Sequence, residues 1–238
     1  MSLSLSHGKP LNVGHHGIAQ EDLPPMDAGR LDPRAWFRDP PDAGRPLELE
    51  IGSGKGTFLV QHARLYPGVD YLGLEWAKAF WRYAADRARR HGLDNVRLLR
   101  CDADMFIRHY VPDGVFRQVH IYFPDPWPKK RHHKRRLVQA RFLRELHRVL
   151  IPAEPPPDPS APGSAGGSSV SACVRIATDH ADYFQWMGEH AAEVQDLFTR
   201  EPFERPGSAG EGELVGTNFE RKYRKEGRLF QGMILRKR

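Results

Sequence analysis

No segment limits the architecture as tightly as Glu48-Leu49-Glu50-Ile51-Gly52-Ser53-Gly54-Lys55-Gly56-Thr57-Phe58. An apolar run ends in glycines at alternate positions and gives way at once to helical pattern, which describes a strand turning sharply into a helix. Glycine is needed in such a turn because the backbone takes positive φ and a ligand can approach where a Cβ would stand. The phosphate-loop spacing G-x-x-x-x-G-K-[ST] is absent, and the dinucleotide fingerprint G-x-G-x-x-G fails by one residue. Two readings stay open: a different cofactor turn, in which an acid at the strand end precedes G-x-G-x-G, or a turn that only closes a strand-helix unit.

The pattern around this turn fixes the fold class. Leu47 to Ile51, Tyr71 to Leu74, Val96 to Leu99, Val119 to Phe123 and Cys173 to Ala177 read as strands; Trp76 to His91 and Leu137 to Leu150 read as helices. Leu214 to Phe219 and Leu229 to Leu235 are further strand-like pieces flanking the basic segment Arg221 to Arg228. Alternation of short apolar runs with helical stretches predicts an α/β protein, a Rossmann-like, doubly wound, mostly parallel sheet with crossover helices on both faces. Residues 1–45 show no sustained period and are expected to be a loosely structured arm, leaving residues 46–238 as a single domain. Within it, Pro, Gly and Ser supply 14 of the 21 residues from Pro152 to Ala172, the composition of an inserted surface loop.

Composition closes off other classes. A chain of 238 residues with 39% hydrophobic and 28% charged content can bury a core and is not a disordered polymer. Two cysteines, Cys101 and Cys173, exclude a disulfide scaffold or a Cys-rich zinc site, and are expected to be buried thiols. No run approaches the ~18 apolar residues of a membrane helix, and the opening residues lack the basic start and apolar centre of a signal peptide, so a cytoplasmic protein without a membrane partner is expected. No feature sets the oligomeric state; a monomer is the starting assumption. The net charge of +6 is unevenly spread: Lys129 to Leu150 holds nine Lys or Arg against the single acid Glu145. A polyanion is the natural partner of that stretch.

Two more acids fall at strand ends. Glu75 closes the second strand, where a carboxylate can accept both hydroxyls of an adenosine ribose, and Asp102 closes the third, where one can take the adenine amino group. Either alone could be a surface or helix-capping carboxylate. After the fourth strand comes Phe123-Pro124-Asp125-Pro126-Trp127-Pro128-Lys129-Lys130-Arg131-His132-His133-Lys134-Arg135-Arg136. Its three prolines fix a rigid turn that no helix could occupy, presenting Asp125 at the edge of the crevice. Trp127 reads as a packing anchor for that turn, with base stacking as the other possibility.

This segment closely resembles the signature of the tRNA (guanine-N7)-methyltransferases, class I S-adenosylmethionine-dependent enzymes, and every residue of that signature is present. The resemblance runs from about Leu47 to the C-terminus, through Gly73-Leu74-Glu75, Thr178-Asp179 and Thr217-Asn218-Phe219-Glu220-Arg221-Lys222. It implies that Glu50, Gly52, Gly54, Gly56, Glu75, Asp102, Ala103 and Asp125 contact S-adenosyl-L-methionine, with Asp125 also the catalytic residue. Lys129, Asp179, Thr217, Asn218, Phe219 and Glu220 would contact the substrate nucleotide, and Arg131, His132, His133, Lys134, Arg135 and Arg136 would hold RNA phosphates. The implied product is 7-methylguanosine at the variable-loop guanine (position 46) of tRNA. The N-terminal arm and the Pro/Gly/Ser insert depart from the family pattern without touching these motifs.

The chemistry expected is light. Guanine N7 carries a lone pair and no proton, so displacement needs no base to uncover the nucleophile, and positioning dominates. Asp125 could stabilise the charge that develops on the guanine, or accept hydrogen bonds from its N1 and N2 donors. No metal is expected: the sulfonium is already an activated leaving group, and the adjacent His132 and His133 have no Cys or acidic ligands around them. The rival readings are a methyltransferase for another RNA base and a non-catalytic RNA-binding partner subunit of the same fold.

Overall fold

The computed structural model describes residues 10–37, 44–153 and 172–238. Its strands are β1 (Gly17–Ala19), β2 (Leu47–Ile51), β3 (Asp70–Leu74), β4 (Val96–Arg100), β5 (Phe116–Tyr122), β6 (Cys173–Thr178), β7 (Phe198–Pro202) and β8 (Gln231–Lys237). Its α-helices are α1 (Thr57–Leu65), α2 (Lys78–Arg90), α3 (Ala103–His109), α4 (Ala140–Val149), α5 (Ala181–Ala192) and α6 (Asn218–Arg224).

The strands form a sheet in the order β1-β4-β3-β2-β5-β6-β8-β7. The first six neighbours run parallel, and β8 lies antiparallel between β6 and β7. Order reverses between β2 and β5, so a crevice opens beyond their carboxyl ends, where sheets of this kind bind ligands. Every residue of β2 and β3 is buried, as expected of strands covered on both faces. Gly73 in β3 is required by close packing: a Cβ there would stand 2.5 Å from Leu59 Cδ1 of α1. On the other face α4 buries Phe142, Leu143, Leu146 and Val149, a helical stripe, against the core. Cys101 and Cys173 are both buried free thiols. Among the described residues no helix is long and apolar enough to cross a membrane.

The central strands lie where the apolar runs place them, but three readings need correction and one edge strand went unread. Leu214 to Phe219 is not a strand. Gly216, at φ 89°, breaks the extended path, and the Thr217 hydroxyl accepts from Glu220 N (3.0 Å) to start α6. The helix expected from Leu137 begins only at Ala140, because Arg136 and Gln139 are extended. The edge strand β7 carried no recognisable alternation. Residues 10–37 are not a loose arm: β1 pairs with β4, Tyr110 donates to Pro24 O (2.9 Å), and Trp36 stacks on Phe106. Ile18, Leu23, Leu31 and Trp36, the residues that pack this segment on the core, follow neither a strand nor a helix period. The insert expected at 152–172 falls almost wholly outside the described residues.

Candidate active site

The glycine turn folds over the end of β3. Gly52 N and Ser53 N donate to Leu74 O (2.9 and 3.0 Å), and Gly52, Gly54 and Gly56 have φ of 79°, 53° and 65°. Gly54 N donates to Glu75 Oε2 (2.8 Å) and Ala77 N to Glu75 Oε1 (2.7 Å), so Glu75 is oriented by the turn it faces. Burial raises the pKa of Glu75, opposed by those two amides, and the charge of Asp125 raises it further. Glu50 is 3% exposed, and its Oε2 has no hydrogen-bond partner among the described residues. Burial, and then the charge of Glu75, push its pKa up to about 8. An unpartnered buried carboxylate of this kind is suited to a cation supplied from outside.

Two cavities flank the turn. The first, about 380 Å³, is a slot between Ile51, Leu74 and Trp76, edged by Gly52, Asp102 and Ala103 and walled by the charged side chains of Lys134 and Arg135. Asp102 spends Oδ1 on capping α3 through Met105 N (2.9 Å), so it is both a cap and a cavity residue. The second, about 370 Å³, joins Glu50 and Gly54 to Thr217, Asn218 and Phe219. Phe80 and Tyr223 also line it, and Trp76 is 69% exposed at the first. Sequence reading passed over these three aromatics; helical spacing makes Phe80 and Tyr223 look like ordinary packing positions, and only the adjacency of Trp76 to Glu75 was a usable signal.

Asp125 lies exposed on the turn that leaves β5, between two strained residues. Phe123 and Trp127 have φ of 54° and 43°, which non-glycine residues rarely adopt, and such conformations persist only where the surroundings fix them. Phe123 is held by Phe123 N donating to Ala177 O (2.8 Å) and by its ring stacked on Phe219 (5.0 Å). Trp127 is held by the Arg135 guanidinium over its face (5.0 Å) and by the edge of His132, and so serves as the expected anchor.

Several expected ligands have other work. Arg136 is 1% exposed: it donates to Pro126 O (2.9 Å) and to Asp182, and its guanidinium lies over the rings of Tyr183 and Trp186. It is no RNA-phosphate ligand but the tie between the Asp125 turn and α5; the preceding 3-10 helix, Lys130–Arg135, ends by turning it inward. His133 also faces in, its ring against Trp186. Glu220 is 1% exposed and accepts from the amides of Leu214, Val215 (2.9 Å) and Gly216 (2.8 Å), so it holds the loop before α6 rather than a nucleotide. Asp179 is paired with Arg228 (2.6 Å), and the Thr217 hydroxyl is the α6 cap. Lys129, Arg131, Lys134 and Arg135 remain on the surface.

Behind Glu50 lies a polar layer that the sequence did not disclose. Glu48 accepts from His120 Nε2 (2.9 Å) and from Arg117, and these partners overcome burial to hold its pKa down at about 2. Phe58 packs on His62, His120 and Tyr122, closing the layer from the cavity side.

A reversal of strand order, an acid-ended strand running into G-x-G-x-G, and a carboxylate closing each of the next two strands define a class I S-adenosylmethionine-dependent methyltransferase. The chain matches, over residues 44–153, a family model described as "Putative methyltransferase". It belongs to the tRNA (guanine-N(7)-)-methyltransferase family. The enzyme of that name from Alkalilimnicola ehrlichii is 34% identical over 222 residues, which cover 86% of this chain and 83% of that protein. The one from Halorhodospira halophila is 41% identical over 142 residues, 60% of this chain and 54% of its own length. Among solved structures, the aminoglycoside resistance methyltransferase NpmB1 superimposes with a TM-score of 0.50 over 82% of this chain and 88% of that chain, at 14% identity, a likeness of fold alone.

Proposed function

We propose that this chain transfers a methyl group to N7 of a guanine in tRNA, the variable-loop guanine (position 46), giving 7-methylguanosine. The observation that carries the reading is the position of Asp125: its turn leaves the sheet at the strand-order reversal, beside Glu75, and runs directly into an exposed basic helix.

The residues present fit S-adenosyl-L-methionine. The slot between Ile51, Leu74 and Trp76 suits a planar adenine, with Asp102 and Ala103 at its edge, and Glu75, oriented by the glycine turn, would meet the ribose. Glu50 offers the orphaned carboxylate oxygen to the cationic end, and Gly52, Gly54 and Gly56 leave room for close approach. Bound there, the cofactor supplies a sulfonium-activated methyl group to an in-line displacement.

The chain's own part is positioning and charge. Asn218 and Phe219 border the second cavity, where a guanine can lie against the stacked pair Phe123 and Phe219. Asp125 accepts hydrogen bonds from the base or offsets the positive charge that develops on it. No general base is needed, since N7 has no proton to lose. Lys129, Arg131, Lys134 and Arg135 hold phosphates and set the register without reading bases.

Asp125→Ala tests the assignment. Methyl transfer should fall by at least a hundredfold, while cofactor affinity stays within a few fold because Glu50, Glu75 and Asp102 are intact. Near wild-type turnover would take Asp125 out of the mechanism.

A further inference from the structure

A second cluster lies away from the crevice, where residues 10–19 cover α2 and β4. His15, His16 and Asp94 each bring one ligand atom to within 4.8 Å of the others. The histidines sit on a one-turn 3-10 helix, Gly14–His16, that leads into β1, and Asp94 sits in the turn before β4. The tight turn brings the two imidazoles together, with ring centroids 4.1 Å apart.

His16 is the telling residue. It is 2% exposed, and both its ring nitrogens are buried with no well-formed hydrogen bond among the described residues, only a weak interaction with the Leu93 backbone. A buried polar ring left in that state is costly and calls for a missing partner. His15 Nε2 lies 3.6 Å from Asp94 Oδ1, close to the ~3.4 Å ligand-to-ligand edge of a tetrahedron built on zinc bonds of about 2.0–2.1 Å. Two imidazoles and a carboxylate are a donor set that suits Zn2+, and the exposed sides of His15 and Asp94 leave the fourth position to water. The backbone on both sides is fixed: Arg89 Nε donates to Asn12 O (3.0 Å), Gly14 N to Asn12 Oδ1 (3.0 Å), and Arg97 Nη1 to Asp94 O (2.9 Å).

We propose that His15, His16 and Asp94 form a structural Zn2+ site that clamps the N-terminal segment to the edge of the sheet. The site lies away from the crevice and takes no part in methyl transfer.

The test uses the full chain, stripped with chelator and titrated with Zn2+ by calorimetry and with Co2+ by visible absorption. One equivalent should bind, the cobalt spectrum should be that of a tetrahedral nitrogen and oxygen site, and Zn2+ should raise the melting temperature. His15→Asn and Asp94→Asn, at exposed positions where folding is not at stake, should each weaken Zn2+ affinity at least tenfold and remove the thermal shift. Absence of saturable binding by the wild-type chain would overturn the proposal. So would unchanged affinity in both variants, which would move the metal to other histidines such as His132 and His133.

Discussion

A buried carboxylate without a partner changes state when a cation arrives, and Glu50 is such a group. Held up at about 8 by burial and by Glu75, it keeps its proton at pH 7 in the free protein. A cationic cofactor favours the ionised form, so binding must expel that proton, and affinity should rise with pH until about pH 8 and then level. We expect the Kd for S-adenosyl-L-methionine to fall by up to about tenfold per unit between pH 6 and 8. Glu50→Gln should bind more weakly with no such slope. The same shift has a cost for the empty protein: stability from Glu50 is complete below its ordinary value of 4.5 and is lost as pH rises through about 8. Glu50→Gln should therefore melt higher than wild type at pH 8 and above; a flat affinity profile in the wild type would contradict the role given to Glu50. Arg136 makes the opposite case, a cation with all its work inside. Arg136→Ala removes the ties to Pro126 O and Asp182 and the packing on two rings, so stability should drop on the order of 3 kcal/mol and turnover should fall as the Asp125 turn loosens. The salt dependence of tRNA binding should not change, which denaturation curves and binding isotherms would check together.

The 3-10 helix Lys130–Arg135 divides its charges between two duties, and a pair of substitutions can separate them. Arg131, like Lys129 just before the helix, is exposed, whereas Lys134 and Arg135, though exposed, also wall the first cavity, and Arg135 lies over Trp127. Lys129→Gln with Arg131→Gln should weaken tRNA binding and flatten its dependence on log salt by about 0.7 to 0.9 per lost contact, leaving cofactor affinity unchanged. An unaltered slope would route the RNA elsewhere, most directly along Arg221 to Arg228. Elements differed in how readily the sequence disclosed them, for physical reasons. Strands buried on both faces, such as β2 and β3, are continuous apolar runs and stand out; the edge strands β1 and β7 bury too little to leave a period. Leu214 to Phe219 imitates a strand in composition, yet Thr217-Asn218-Phe219-Glu220 carries the T-x-x-E spacing of a helix start. Within a basic run nothing in the letters distinguishes Arg136, buried, from Arg131, exposed, because the difference is made by Asp182, Tyr183 and Trp186 more than forty residues later. Glu220 was misread for a different reason: its partners are nearby backbone amides, which every residue has.

Across the whole molecule, topology does what no single segment can. The reversal between β2 and β5 brings the glycine turn, with Glu50 and Glu75, next to the Asp125 turn, although 75 residues separate Glu50 from Asp125 in the chain. Return of the chain through β6 and α6 adds Asn218 and Phe219 to the second cavity and stacks Phe219 on Phe123, so the far end of the sequence completes the surface on which a base would lie. On the reading proposed above, this assembly would hold guanine N7 of tRNA against the cofactor's methyl group. The most direct test incubates the purified full chain with S-adenosyl-L-methionine and unmodified tRNA, then maps the methylated nucleotide. The expected result is a single 7-methylguanosine at the variable-loop guanine, lost in Asp125→Ala; methylation of another base, or none by a protein that binds both cofactor and tRNA, would contradict it.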